Sequence, residues 1–179
     1  SLLLLYQLLY KKDIIFRNER AKFGLTLRYI IFSLSFLALL PFYNKHFTPS
    51  LIISIFVLIW ANDSFAFLVG KNFGRNKLFE SISPKKTQEG FFGGIAFAII
   101  GAVVISHYNE VFSIIHWIVI ALIVSLFGTA GDLIESKFKR HAKVKDSGNI
   151  MPGHGGILDR LDSLMFAAPF VYLYINFIL

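Results

Sequence analysis

Apolar residues run along this chain in blocks, at 25–43, 51–70, 91–106, 113–134 and 161–179, with a shorter stub at 1–10. A helix needs about 20 residues to cross the hydrocarbon of a bilayer, and most of these blocks approach that length. The pattern predicts an all-α, polytopic transmembrane helix bundle, with about five full spans plus an N-terminal partial helix. The 91–106 block is short and holds Gly93, Gly94, Ala96, Ala98, Gly101 and Ala102. Small residues let helices approach closely within a membrane, so this helix is expected inside the bundle. The stub precedes positive charge instead of following it, which disfavours a signal peptide. With Ser1 in place of an initiator Met, 1–179 is read as a single membrane-embedded catalytic domain, the C-terminal part of a longer protein.

The polar stretches alternate in charge. All but two of the 18 Lys and Arg fall in every second one, at 11–24, 71–90 and 137–160. The exceptions are Lys45, in the 44–50 loop, and Arg28, inside an apolar block. The positive-inside rule places the three basic stretches in the cytoplasm, where anionic lipid also favours them. The formal charge of +7 is then mainly topological and calls for no nucleic acid. The 55% hydrophobic content agrees with a membrane protein, and zero cysteines exclude disulfides, thiolate metal sites and cysteine nucleophiles.

Acidic residues change the picture from topology to chemistry. A carboxylate within a span costs at least about 2.5 kcal/mol on insertion scales, so its presence calls for a reason. Asp63 lies toward the cytoplasmic end of its block, Asp132 and Glu135 near the cytoplasmic end of the next but one, and Asp159 and Asp162 at the start of the last. The spacing of three lets each pair share a helix face. Structural ion pairs at helix ends, such as Glu135 with Lys139, would explain one such group. Five at one depth beside the most basic stretch favour a site for a metal and a polyphosphate. Pro152-Gly153-His154-Gly155-Gly156 cannot be a helix interior, and its backbone can come close to phosphate oxygens. Asp159 follows where exposed helix N–H groups favour an anion. The bland alternative for Ser83-Pro84-Lys85-Lys86-Thr87 is the capped, solvated start of a helix.

Three segments together carry a family resemblance. The first is Ser136-Lys137-Phe138-Lys139-Arg140, then Lys145-Asp146-Ser147-Gly148, then Pro152-Gly153-His154-Gly155-Gly156-Ile157-Leu158-Asp159-Arg160-Leu161-Asp162. The second is Asn62-Asp63-Ser64-Phe65-Ala66-Phe67 with Gly70 and Phe73-Gly74, and the third Ser83-Pro84-Lys85-Lys86-Thr87-Gln88-Glu89-Gly90 with Gly93-Gly94. This set resembles the phosphatidate cytidylyltransferase family, strongly over 62–163. Met151 and Gln88 depart from the family's usual residues without removing a charge.

The resemblance implies transfer of the cytidylyl group of CTP to phosphatidic acid, giving CDP-diacylglycerol and pyrophosphate. It implies Mg²⁺, with room for a second cation, held by Asp132 and Asp159 with Asp162 and Asp63 behind them. Asp132, Lys139, Asp159, Asp162 and His154 are the expected catalytic residues. Asn62, Asp63, Lys85, Lys86, Ser136, Arg140, Lys145, Asp146, Gly155, Gly156 and Arg160 are the expected substrate-binding residues. The expected setting is a bacterial inner membrane with the site facing the cytoplasm, and a homodimer is compatible with it. The alternatives are a CTP-dependent enzyme acting on another lipid (a polyprenol kinase or an ether-lipid cytidylyltransferase) and a cation transporter. The last expects carboxylates at mid-bilayer depth on several helices, a pattern this chain lacks.

Overall fold

A computed structural model of the protein describes residues 23–24, 27–80, 82–144, 147–148 and 156–179. The expected stub at 1–10 and the side chain of Arg28 lie outside the described residues. The architecture is mostly helical. A π-helical turn, Leu27–Ile31, runs into α1 (Phe32–Leu39), followed by α2 (Pro49–Phe73), α3 (Gln88–Tyr108), α4 (Ile114–His141) and α5 (Leu158–Phe177). Two short hairpins, which the all-α expectation omitted, join them. They are β1 (Phe42–Tyr43) with β2 (His46–Phe47), and β3 (Lys77–Phe79) with β4 (Ser83–Thr87). In the first, Tyr43 pairs with His46 across a two-residue turn, and Asn44 and Lys45 both take positive φ, which suits the twist of paired strands.

Among the described residues three helices, α2, α3 and α4, are long and apolar enough to cross a membrane. Of the 25–43 block, the described part of the helix covers Leu27–Leu39, as the π-helical turn and α1. The 161–179 block does form a long helix, but Asp162, Ser163, Pro169, Tyr172, Tyr174 and Asn176 dilute its apolar character. Pro49 opens α2 at a position where its missing N–H costs nothing. The next helix does not begin at Ser83 as the bland reading supposed. Ser83–Thr87 is a strand, and Thr87 caps α3 by accepting from the Gly90 N–H at 3.1 Å.

The helices pack antiparallel, α2 on α3 and α4 on α5, with α3 and α4 joining the pairs. Gly90, Gly94, Ala98 and Ala102 form the buried stripe of α3, while Phe92, Ile100, Val103 and Val104 are exposed on its other side. This helix is therefore packed on one face, not enclosed as its small residues suggested. The close contact is real at Gly94, where a Cβ would stand 2.8 Å from the Asn62 carbonyl oxygen. One buried cluster centres on Leu51, Ile55, Leu58, Trp117, Ile120 and Val171. A second, of Tyr29, Ile82, Leu133, Ile134 and Phe166, lies at the other end of the bundle, against the α4–α5 seam.

Candidate active site

That second cluster supports the polar residues that share its helices. α4 places Asp132, Glu135, Ser136 and Lys139 within two turns, because positions three and four apart stack on one helix face. α5 brings Asp159 in its first turn and Asp162 one turn later. Gly131 lets the two helices meet, since a Cβ there would stand 2.6 Å from the Asp162 carbonyl oxygen and from the Phe166 Cβ.

Two lysines hold the carboxylates. Lys139 Nζ lies 2.9 Å from Glu135 Oε2 and 2.6 Å from Asp159 Oδ1, so it bridges α4 and α5. Lys86, carried by β4, reaches Asp132 Oδ2 at 2.6 Å, and Ser136 Oγ donates to Asp132 Oδ1 at 3.2 Å. The second oxygen of Asp159 accepts from the Ser147 N–H and hydroxyl, each at 2.8 Å, and from the Gly156 N–H at 2.7 Å. Asp159 thus ties both edges of the glycine-rich loop to the start of α5. This is a role for the acidic residue at a helix N-terminus that its position alone did not reveal.

The other predicted residues fall around these pairs. Asn62 Nδ2 donates to Asp63 Oδ1 at 3.1 Å on α2, and Asp63 lies within electrostatic reach of Lys86 and Asp132. Asp162 is buried, its Oδ1 accepting from the Ser163 N–H at 2.6 Å, and it interacts with Glu135 and Asp132. Lys85, Arg140 and Arg160 are exposed at the same end. Lys145, Asp146, His154 and Gly155 lie outside the described residues. The expected ion pair of Glu135 with Lys139 exists, but it belongs to the site and not to an idle helix end. Sequence reasoning missed the partnership of Lys86 with Asp132, whose signal is only that both residues are charged in membrane-flanking segments.

The four expected metal ligands do not form one set. Lys86 occupies Asp132, and Lys139 with the loop occupies Asp159. Among the described residues, no three His, Asp or Glu side chains are grouped so as to hold an ion by themselves. The donor chemistry still fits Mg²⁺, which takes one or two carboxylates and completes its shell with substrate phosphate and water. Asp63, Asp132, Glu135, Asp159 and Asp162 share one end of the bundle, where Lys86 and Lys139 make the ion pairs given above. Glu135 Oε1 is buried with no hydrogen-bond donor. Leaving such an acceptor dry costs about 1–3 kcal/mol, a cost that a bound cation would relieve.

An acidic and basic cluster thus lies at one end of a bundle with membrane-length helices, the architecture of an integral membrane protein. The cytidylyltransferase family model matches residues 2–178, and the chain belongs to that family. It is similar to the phosphatidate cytidylyltransferase of Bacillus subtilis (strain 168), 52% identical over 117 residues, which are 65% of this chain and 44% of the relative. The phosphatidate cytidylyltransferase of Staphylococcus aureus (strain COL) is 50% identical over 120 residues, 66% of this chain and 46% of that protein. That of Staphylococcus saprophyticus is 48% identical over 120 residues. The chain spans about half the length of the curated relatives it matches.

Proposed function

We propose that the protein carrying this chain transfers the cytidylyl group of CTP to phosphatidic acid, releasing pyrophosphate and leaving CDP-diacylglycerol in the membrane. The observation that carries the reading is the Lys139 bridge between Glu135 and Asp159, with Lys86 on Asp132 beside it. Two ammonium groups held by carboxylates at the bilayer boundary can meet a triphosphate and a lipid phosphate at once. The names of the relatives supply the nucleotide and the lipid.

In this reading an oxygen of the phosphatidate phosphate attacks the α-phosphorus of CTP. A new P–O bond forms as the bond to the bridging oxygen of the β-phosphate breaks, and pyrophosphate departs with that oxygen. The nucleophile is already an anion, so no strong general base is required, and catalysis is chiefly positioning and charge neutralisation. Lys139 and Lys86 neutralise phosphate charge, and Asn62, Ser136, Lys85, Arg140 and Arg160 line the approach. Asp132, Asp63 and Asp162 would hold Mg²⁺, which supplies charge stabilisation at the leaving phosphates when bound. Asp159 keeps the loop edges at Ser147 and Gly156 against the site.

Alternation of the basic stretches supports a cytoplasmic site in a bacterial inner membrane, and five spans, counting α5 and the 25–43 block. The test uses full-length protein in lipid, supplied with radiolabelled CTP and phosphatidic acid. Label should appear in CDP-diacylglycerol in a Mg²⁺-dependent manner. Label in a different lipid, or none, would replace the substrate named here.

A further inference from the structure

The β3–β4 hairpin carries Lys86 to Asp132, yet a two-stranded ribbon is marginally stable by itself. Two anchors fix it. Toward the turn, Ile82 is buried in the cluster of Leu133, Ile134 and Phe166. At the open end, Glu89 in the first turn of α3 holds Asn76, which lies between α2 and β3. Glu89 Oε1 accepts from the Asn76 N–H at 3.1 Å and from Asn76 Nδ2 at 2.8 Å, and Oε2 lies 3.2 Å from the same N–H. The Gln88 N–H donates to the Asn76 carbonyl at 2.9 Å, and Gln88 Nε2 to the Lys77 carbonyl at 3.3 Å. The backbone beneath is close-packed. A Cβ at Gly74 would stand 2.6 Å from Thr87 Cγ2, and one at Gly90 2.5 Å from the Ala66 carbonyl oxygen.

Glu89 stands in the same basic stretch as Lys85 and Lys86, but its carboxylate turns to the amide donors of Asn76. Lys86 is thereby left to Asp132. Helix N–H groups favour an acid at the start of α3, so capping alone explains a carboxylate there. It does not explain why both oxygens face one residue across the mouth of the hairpin. We propose that Glu89 is a positioning residue for CTP binding: clamped on Asn76, it fixes the mouth of the β3–β4 hairpin and so aims the Lys86 ammonium at the phosphates. The proposal rests on the functional reading above.

The experiment uses full-length protein in lipid nanodiscs. It compares wild type, Glu89→Ala, Glu89→Gln and Lys86→Gln, with each Glu89 change also made in the Lys86→Gln background. It reads the melting temperature, CTP affinity by nucleotide titration, and formation of CDP-diacylglycerol. The clamp lies at the surface, so Glu89→Ala should lower the melting temperature by only a few degrees. CTP should bind about fivefold more weakly, the scale of a lost hydrogen-bonded anchor. In the Lys86→Gln background the same change should add less than about twofold, as expected of a residue acting through Lys86. Glu89→Gln keeps one acceptor oxygen, and its CTP affinity should lie between those of wild type and Glu89→Ala. If Glu89→Ala does not fold, Glu89→Gln carries the cycle, with a loss of about twofold expected alone and none beside Lys86→Gln. Unchanged CTP affinity in Glu89→Ala would leave Glu89 a helix cap only. A loss that persists in full beside Lys86→Gln would mean that Glu89 acts without Lys86, and Glu89→Gln as weak as Glu89→Ala would assign the effect to charge. Each of these results overturns the proposal. If wild type makes no CDP-diacylglycerol, the functional reading fails first. If wild type works and Glu89→Ala binds CTP equally well, only this inference fails.

Discussion

Lys139 is the residue on which the site's charges balance. It contacts carboxylates on two helices, and both contacts are shielded, with side-chain exposures of 16% for Lys139, 2% for Glu135 and 10% for Asp159. Breaking a sequestered pair from one side strands the remaining charges, at about 3–5 kcal/mol for a fully buried example and less here. Lys139→Ala should therefore cost both stability and turnover, and so should Asp159→Ala, which also loses the loop contacts. The double variant should lose less stability than the sum of the two single losses, with no turnover regained. Thermal denaturation and CTP incorporation read the two effects separately. Strictly additive stability losses would show that the pair is not coupled.

The Lys86–Asp132 pair behaves differently because 27% and 33% of its side chains remain exposed. Solvent weakens such a contact to about 0–1 kcal/mol, so it can exchange partners at little cost. Lys86→Gln removes the ammonium that stands at Asp132 and so should leave the melting temperature nearly unchanged. In the same variant Mn²⁺ should bind more tightly without CTP, because its competitor at the carboxylate is gone, and CTP itself should bind at least about tenfold more weakly. Electron paramagnetic resonance of free Mn²⁺ and nucleotide titration check the two halves. Metal affinity equal to that of wild type would mean that Asp132 does not contribute to a cation site.

At the level of helices, the geometry of the site depends on how closely α4 and α5 meet. A methyl group at Gly131 would collide with the Asp162 carbonyl and the Phe166 Cβ, both at 2.6 Å, and neither is the free end of a flexible side chain. Gly131→Ala should push the helices apart, with an overpacking cost of about 1–3 kcal/mol and a larger loss of activity. Gly101→Ala is the control, since its Cβ would meet only Leu58 Cδ2, at 3.5 Å, and alanine favours the helix. Equal melting temperatures and activities for the two variants would show that the seam is not tight. This level also marks where the sequence could be read. The blocks at 51–70 and 113–134 announced α2 and α4, because long apolar runs have few alternatives. The hairpin at Lys77–Thr87 was not legible, because Lys and Pro are poor strand formers and the pairing of Lys77 with Thr87 is set by where α2 ends and α3 begins. The carboxylates stood out by their cost in a membrane, but Lys86 and Asp132 are joined only through the packing of α3 on α4.

Across the whole molecule, polarity is sorted to two ends of one bundle. One end holds the Lys86, Lys139 and Asp159 pairs. The other holds neutral contacts: His116 Nδ1 shares a hydrogen bond of 2.8 Å with the Tyr174 hydroxyl, Asn109 Nδ2 donates to Ser54 Oγ at 3.1 Å, and Trp117 Nε1 donates to the Asn109 carbonyl at 3.3 Å. By the positive-inside rule, the scarcity of Lys and Arg at that end would orient it away from the cytoplasm. The absence of cysteine from this sequence makes that orientation directly measurable. Lys77 on β3 and Glu110 between α3 and α4 are both exposed, at opposite ends. Single cysteines at the two positions, in full-length protein otherwise free of cysteine, should react with a membrane-impermeant maleimide from opposite sides. Lys77→Cys should label only in inside-out vesicles, and Glu110→Cys only in intact cells or right-side-out vesicles. Labelling of both from one side would break the antiparallel crossing of α3. Reversal of both would place the site away from the cytoplasm, where CTP is made, and would remove the functional reading along with the orientation.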